Sequence, residues 1–269
     1  MTVIAAAALL ASSGGFNITV QAWTFNRFST FEAIEKTAQA GASFIELYPG
    51  QTMVAGEDVK VGPEMGDAAT KRLAEHLEKH KVRAIAFGVT GISQDASEAR
   101  KLFAWAKSLG IQIINTESTE AIATAEAMVK EFDLKVGYHN HPRRPNDENY
   151  KVWDPAYVYE LVKDRDVRIG ACADTGHWVR SGIKPVEALK ALKGRVVSSH
   201  LKDLHEFTRG GHDVPYGTGV SEIAAVLAEL QAIGFTGSLS VEYEHNWDAS
   251  LPDVAQCIGF VRGFLAGKA

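Results

Sequence analysis

Short apolar runs rich in β-branched residues alternate with longer stretches of helical period along almost the whole chain. The short runs are Asn17–Trp23, Ser43–Tyr48, Val82–Val89, Ile111–Asn115, Lys135–His139, Val167–Ala173, Arg195–Leu201 and Ser238–Tyr243. Each has the length and near-continuous apolar character of a buried parallel strand. Between them, apolar residues recur every three to four positions over 30–40, 67–80, 94–109, 120–132, 155–163, 185–192, 221–233 and 252–265, which predicts eight amphipathic helices. Gly41, Gly110, Gly194 and Gly234 stand just past four of these stretches, where a helix is expected to stop.

Eight strand–helix units in roughly 250 residues predict an α/β protein with a single (β/α)8 barrel over residues 16–269. An open, doubly wound sheet is the competing architecture. It would place a glycine-rich phosphate turn after the first strand, and the segment there is Thr24-Phe25-Asn26-Arg27-Phe28. No low-complexity linker divides the series. Two connections exceed the usual few residues: 142–153 and 203–220. Both follow strands, so in a barrel both lie on the face that carries catalytic residues. Gly210, Gly211, Gly217 and Gly219 make the second a candidate lid.

Residues 1–15 stand apart. Ile4 to Ala11 is apolar but too short to span a bilayer, and four small residues follow it. The expectation is an N-terminal tail or the remnant of an export signal, which would place the protein outside the cytoplasm; a tail alone would leave it inside.

Composition narrows the function. The 269 residues are 46% hydrophobic and 23% charged, with a net charge of -5. That excludes a disordered chain and argues against a nucleic-acid partner, whose phosphates require clustered Lys and Arg. The membrane is likewise not an expected partner. Cys172 and Cys257 are too few for a disulfide framework and sit in apolar surroundings, as inert buried thiols do.

Ionisable residues collect at the C-terminal ends of the predicted strands. Glu46 lies on the second and Glu117 just past the fourth. The fifth ends in Tyr138-His139-Asn140-His141, the sixth in Asp174-Thr175-Gly176-His177, the seventh in His200-Leu201-Lys202-Asp203 and the eighth in Glu242-Tyr243-Glu244-His245. Such groups are costly to bury singly, so five strands ending this way imply one shared locus. Carboxylates with neutral imidazoles suit a divalent cation. Alternation along a strand puts His139 and His141 on one face, and likewise His200 with Lys202 and Glu242 with Glu244. Asp174, His200, Glu242 and one fifth-strand histidine would hold one ion, Mn²⁺ first and Mg²⁺, Co²⁺ or Zn²⁺ as alternatives. The ion would polarise a carbonyl while a carboxylate removes the neighbouring proton.

Asp174-x-x-His177, His200-x-Lys202-Asp203 and Val241-Glu242 resemble the xylose isomerase-like TIM barrel superfamily, in particular the sugar phosphate isomerase/epimerase, D-tagatose 3-epimerase and inosose dehydratase branch. The resemblance implies a barrel with one divalent metal held after strands five to eight, with Asp174, His200 and Glu242 as ligands beside His139. It also implies that His177 contacts substrate and that a sugar is deprotonated beside its carbonyl, the enediolate being held on the metal. Glu242 is the expected base, with Glu117 and His141 as partners for the proton and Lys202 in the same catalytic group. One departure stands out. The epimerases carry a glutamate on strand five where this chain has His139, and Glu117, one strand earlier, is a replacement.

The reading that follows is a metal-dependent sugar isomerase or epimerase. A 3-keto-sugar lyase or hydratase with the same metal is the alternative; an endonuclease IV-like nuclease and a non-catalytic carbohydrate-binding barrel rank below. Tyr48, Trp153 and Arg27 are expected to contact the sugar, with Phe25 beside them. Arg143 and Arg144 suit a phosphate. His76, His80 and His205 read as surface or loop residues, and a homo-oligomer stays open.

Overall fold

The computed structural model describes residues 17–267; the expected tail or signal remnant at 1–15 lies outside the described residues. Local sequence signals set the helix starts. Ser29 and Glu32 form a reciprocal capping box at α1 (Thr30–Gln39). Asp95 caps α3 (Ala96–Ser108), and Asp154 caps α5 (Pro155–Val162), which opens on proline. The inward faces follow the expected period: α2 (Asp67–Lys79) buries Ala69, Leu73 and Leu77. The four predicted glycine stops all have the positive φ that ends a helix cheaply, between 69° and 92°.

Eight parallel strands close into a barrel: β1 (Asn17–Gln21), β2 (Phe44–Leu47), β3 (Arg83–Phe87), β4 (Ile113–Thr116), β5 (Lys135–His139), β6 (Ile169–Asp174), β7 (Val196–Leu201) and β10 (Ser238–Val241). They pair in sequence order, and β10 closes the ring between β7 and β1. The remaining helices are α4 (Ile122–Phe132), α6 (Thr175–Arg180), α7 (Pro185–Ala191), α8 (Ile223–Ala232) and α9 (Leu251–Ala266). Among the described residues no helix is long and apolar enough to cross a membrane. The predicted single (β/α)8 architecture is the observed one.

Three details differ from the expectation. A short helix, α6, follows β6 directly, because the Asp174 side chain accepts from the His177 N–H and starts a helical turn where the end of the sixth strand was expected. Within 203–220, β8 (Asp203–Leu204) and β9 (Asp213–Val214) form an antiparallel hairpin. The barrel interior is also more polar than the near-continuous apolar runs imply. Outward positions such as Val20, Ile45, Ile114, Val136, Leu239 and Val241 pack in the apolar core. Inside, hydroxyl, amide and carboxylate groups form a hydrogen-bonded column. Thr19 accepts from Ser238, Ser198 donates to Asn115 at 2.6 Å, and Asn115 and Ser240 donate to the two oxygens of Glu46 at 2.7 and 2.6 Å. Every member is bonded, which is what lets so polar a column stay buried. Gly137 makes room for it: a Cβ there would sit 2.5 Å from Asn115 Oδ1.

Candidate metal and catalytic site

The column ends at the mouth of the barrel in four buried side chains: His139, Asp174, His200 and Glu242, each offering a ligand atom within 4.8 Å of the others. They come from the ends of β5, β6 and β7 and from the residue after β10. Asp174 divides its two oxygens. Oδ1 caps α6, while Oδ2 faces His139 Nε2 at 3.5 Å and His200 Nδ1 at 4.0 Å. Asn140 fixes this strand end through the Asp174 backbone, at 2.9 and 3.0 Å. Glu242 Oε2 lies 3.0 Å from His200 Nδ1.

Each imidazole turns its second nitrogen to a carboxylate on the far side. His200 Nε2 lies 2.9 Å from Glu46 Oε1, and His139 Nδ1 lies 3.3 Å from Glu117 Oε1. With those nitrogens protonated, the lone pairs of His139 Nε2 and His200 Nδ1 point inward. Neither of these buried atoms has a well-formed hydrogen bond among the described residues. Two orphaned imidazole nitrogens facing two carboxylate oxygens, each ring held from behind by a carboxylate, is the donor set that fits a divalent cation. Charge points the same way. Burial alone would push the His139 imidazole down, but the facing Asp174 and Glu117 carboxylates raise it to about 9. The carboxylates around these four residues thus favour positive charge at this point, whether a proton or a bound cation.

Lys202, on the same face as His200, is also buried. Its ammonium lies 2.7 Å from Asp174 Oδ2, 2.5 Å from Glu242 Oε2 and 3.3 Å from Glu244 Oε2. Gly176 of α6 lets its stem pass, since a Cβ there would sit 2.7 Å from Lys202 Cβ. Burial pushes the Glu242 carboxyl up, but Lys202 and His200 outweigh it and hold it well below the usual range. The His177 imidazole is pushed far down, burial leading and outweighing the pull of Asp174, so it stays neutral.

A second group forms the rim. Glu117 Oε1 takes His139, a close contact from His141 Nδ1 and the Tyr150 hydroxyl at 3.0 Å. Burial would raise the Glu117 carboxyl, but its bonds to His139 and His141 hold it well below the carboxylate range. His141 stacks on His177 with centroids 5.0 Å apart and keeps 45% of its side chain exposed, so it can meet a ligand. A cleft walled by Glu117, Asn149, Tyr150 and Lys151 opens beside it. The long loops meet over this rim, where Arg209 donates to the Arg143 carbonyl.

The structure thus brings together His139, His141, Glu117, Asp174, His177, His200, Lys202 and Glu242. The expected sugar contacts fare differently. Tyr48 reaches the site only through Trp23, edge-on at 5.1 Å, whose Nε1 donates to Glu244 at 3.2 Å. Trp153 lies under the Arg143 guanidinium in the 142–153 loop. Arg27 is exposed and Phe25 fully buried. Trp23, Tyr150 and Arg180 were not expected. Trp23 carried a signal, an aromatic directly after the first strand. Arg180 carried a weaker one, three residues from His177 on one helix; it reaches His177, Glu244 and Asp213 at once. The lid expectation needs correcting in part: of its four glycines only Gly217 has positive φ, and Gly217 and Gly219 are pinned by Asp203.

A profile of the xylose isomerase-like TIM barrel family matches residues 34–260. The chain belongs to that family. Its curated matches are partial, spanning 41% and 25% of those proteins' own lengths. One of them is the inosose dehydratase of Clostridium tetani, 33% identical over 85 residues, or 29% of this chain. An uncharacterized protein of Parabacteroides distasonis has a solved structure with TM-score 0.74 and 28% identity, covering 93% of this chain and 99% of its own. Two others share the fold at TM-score 0.71: a D-tagatose 3-epimerase-like protein, 16% identical over 93% of this chain and 97% of its own, and the IOLI protein with a bound zinc atom, 17% identical over 94% and 99%. The profile match shows the family, and the two structures at 16% and 17% identity show the shared fold.

Proposed function

We propose that this chain is a divalent-metal-dependent sugar isomerase or epimerase that moves a proton on the carbon beside a sugar carbonyl. The observation that carries the reading is the pair of unbonded imidazole nitrogens, His139 Nε2 and His200 Nδ1, aimed at Asp174 and Glu242. Those four residues would hold the ion, with Mn²⁺ or Zn²⁺ the first ions to test; the bound zinc of the IOLI protein supports a site of this class. A cation held by these four residues would supply positive charge beside a substrate carbonyl oxygen.

The remaining steps belong to side chains. Two groups can carry the proton, Glu242 and His141. Glu242 is held low by Lys202 and His200 and is a weak acceptor. His141 is half open to the mouth, and Glu117 grips its Nδ1, so its Nε2 is free to accept. A carboxylate behind an imidazole fixes the tautomer and stabilises the imidazolium that forms. His141 therefore takes the proton, Glu117 steadies it, and Lys202 keeps Asp174 and Glu242 aligned. Neutral His177 and the Trp23–Tyr48 edge contact the sugar.

A lyase or hydratase acting on a 3-keto sugar is the second reading. Its support is the pairing of an imidazole with a carboxylate where an epimerase would use two carboxylates, along with the partial match to inosose dehydratase. Deuterium exchange in D₂O, followed by NMR over a panel of keto sugars with Mn²⁺ or Zn²⁺ added, tests both. Exchange with a rearranged sugar supports the isomerase, and exchange with loss of a substituent the lyase. His141→Gln, at full metal content, should lower exchange by about 10²-fold or more. If Glu242→Gln alone does so and His141→Gln exchanges at the wild-type rate, the proton roles are reversed. No exchange with any keto sugar overturns the proposal.

A further inference from the structure

On the outer helical layer, away from the barrel mouth, His76 of α2, His80 at the C-cap of α2 and Glu35 of α1 converge, their ligand atoms all within 4.8 Å of one another. We propose that they form a second divalent-metal site, of the borderline kind that takes Zn²⁺, Ni²⁺ or Co²⁺, and that it ties α1 to α2.

The geometry separates this cluster from an ordinary surface ion pair. His76 Nε2 and His80 Nε2 lie 3.5 and 3.7 Å from the same oxygen, Glu35 Oε1. Both distances are too long for good hydrogen bonds. They are close to the edge of a tetrahedron of metal ligands, about 3.3–3.4 Å for bonds of about 2.0–2.1 Å. His80 Nε2 is shielded from water and has no hydrogen-bond partner among the described residues. An unpaired imidazole nitrogen at the meeting point of two others is what an ion would satisfy.

The rest of the cluster is held ready. His76 and His80, the second at the C-cap of α2, are four residues apart and so lie one above the other, with ring centroids 4.5 Å apart. The His76 ring lies flat on Phe31 at 3.8 Å and 12°, and only 9% of its side chain is exposed, so little rotamer freedom remains to be lost on binding. The His76 Nε2 also lies 3.3 Å from the Phe31 carbonyl oxygen, a hydrogen bond that ion binding would displace. Two imidazoles and one carboxylate, with a water completing the shell, make a His₂Glu donor set.

Zn²⁺ titration by calorimetry tests it on the full-length chain in the Asp174→Ala background, which disables the barrel site, with the exposed and stacked His205, His212 and His245 replaced by Gln in every sample so that they cannot bind. One site per chain should be seen, weakened about tenfold or more by His80→Gln and by Glu35→Gln, with the parent's circular dichroism kept in both. Absence of a site in the parent, or equal affinity in the parent and both Gln variants, overturns the proposal.

Discussion

Lys202 and Asp174, 28 residues apart, meet at 2.7 Å in the floor of the barrel mouth, both fully buried. Burial alone would push the ammonium down, but Asp174 and Glu242 outweigh it and hold the proton on. The lysine is thus a fixed positive charge between two carboxylates that also face the imidazoles. Removing it leaves those carboxylates uncompensated. Lys202→Met should cost about 3–5 kcal/mol in urea unfolding. Added Mn²⁺ or Zn²⁺ should recover part of that loss, since a cation at the same carboxylates replaces the missing charge. A neutral effect on stability would show that the ammonium is not needed to hold Asp174 and Glu242 together.

Asp174 has two duties that a well-chosen substitution separates. Asparagine can keep the bond from the His177 N–H that starts α6, because its side-chain oxygen also caps helices. It cannot offer an anionic oxygen to an ion. Asp174→Asn should therefore fold with α6 intact while its affinity for the barrel ion falls tenfold or more. Elemental analysis after gel filtration, in a His80→Gln background that disables the outer site, should find about one ion per chain with Asp174 present, given the one four-ligand cluster among the described residues, and much less in the variant. Equal metal content in the two would remove Asp174 from the donor set.

The 203–220 segment is anchored at its base. The buried Asp203 carboxylate accepts from the backbone N–H groups of Gly217, Gly219 and Ser221 at 2.9, 3.0 and 2.9 Å. Asp203→Ala orphans three donors and should cost about 3 kcal/mol. Trimming the exposed tip at 206–210 should leave stability nearly unchanged and lower activity, because that tip carries the Arg209 bridge to the other loop. If the trimmed chain is fully active, the tip does not cover the site.

What the sequence revealed and what it hid divide along one physical line. The eight strands and their helices were legible because each repeats a local pattern, apolar runs and a 3.6-residue period, and the observed ends lie within about three residues of those expected. His139, Asp174, His200 and Glu242 were legible because a charged residue at a strand end is costly to bury alone. Glu46 and Asn115 were harder to assign. They bond His200 and Ser198 across the barrel, 154 and 83 residues away, and only the closed ring brings them together. Tyr150 was hidden for the same reason: its loop is read as polar, and its link to Glu117 is a tertiary fact. The strand periodicity even misled on one point, since runs such as Leu239-Ser240-Val241 alternate between an apolar-packed outside and a hydrogen-bonded inside.

Asp213 gives the pH dependence that is most readily isolated. It sits at the start of β9, buried; its Oδ2 takes Arg180 and the Glu244 N–H, and Oδ1 has no partner among the described residues. Burial raises its carboxyl to about 7, against the opposing pull of Lys202 and Arg180. In the unfolded chain the group titrates near its ordinary 3.8. Between these values the folded state keeps a proton that the unfolded state has released, so stability falls as pH rises from about 4 to about 7 and levels off above. At about 1.4 kcal/mol per unit, this single group removes roughly 4 kcal/mol over that window. Asp213→Asn stays neutral throughout and should lose this slope. In paired urea titrations the variant should match the wild type near pH 4 and exceed it by a few kcal/mol at pH 8. Parallel stability profiles for the two chains would mean that Arg180 keeps Asp213 ionised, and that the β9 hairpin is held to α6 by a charged pair.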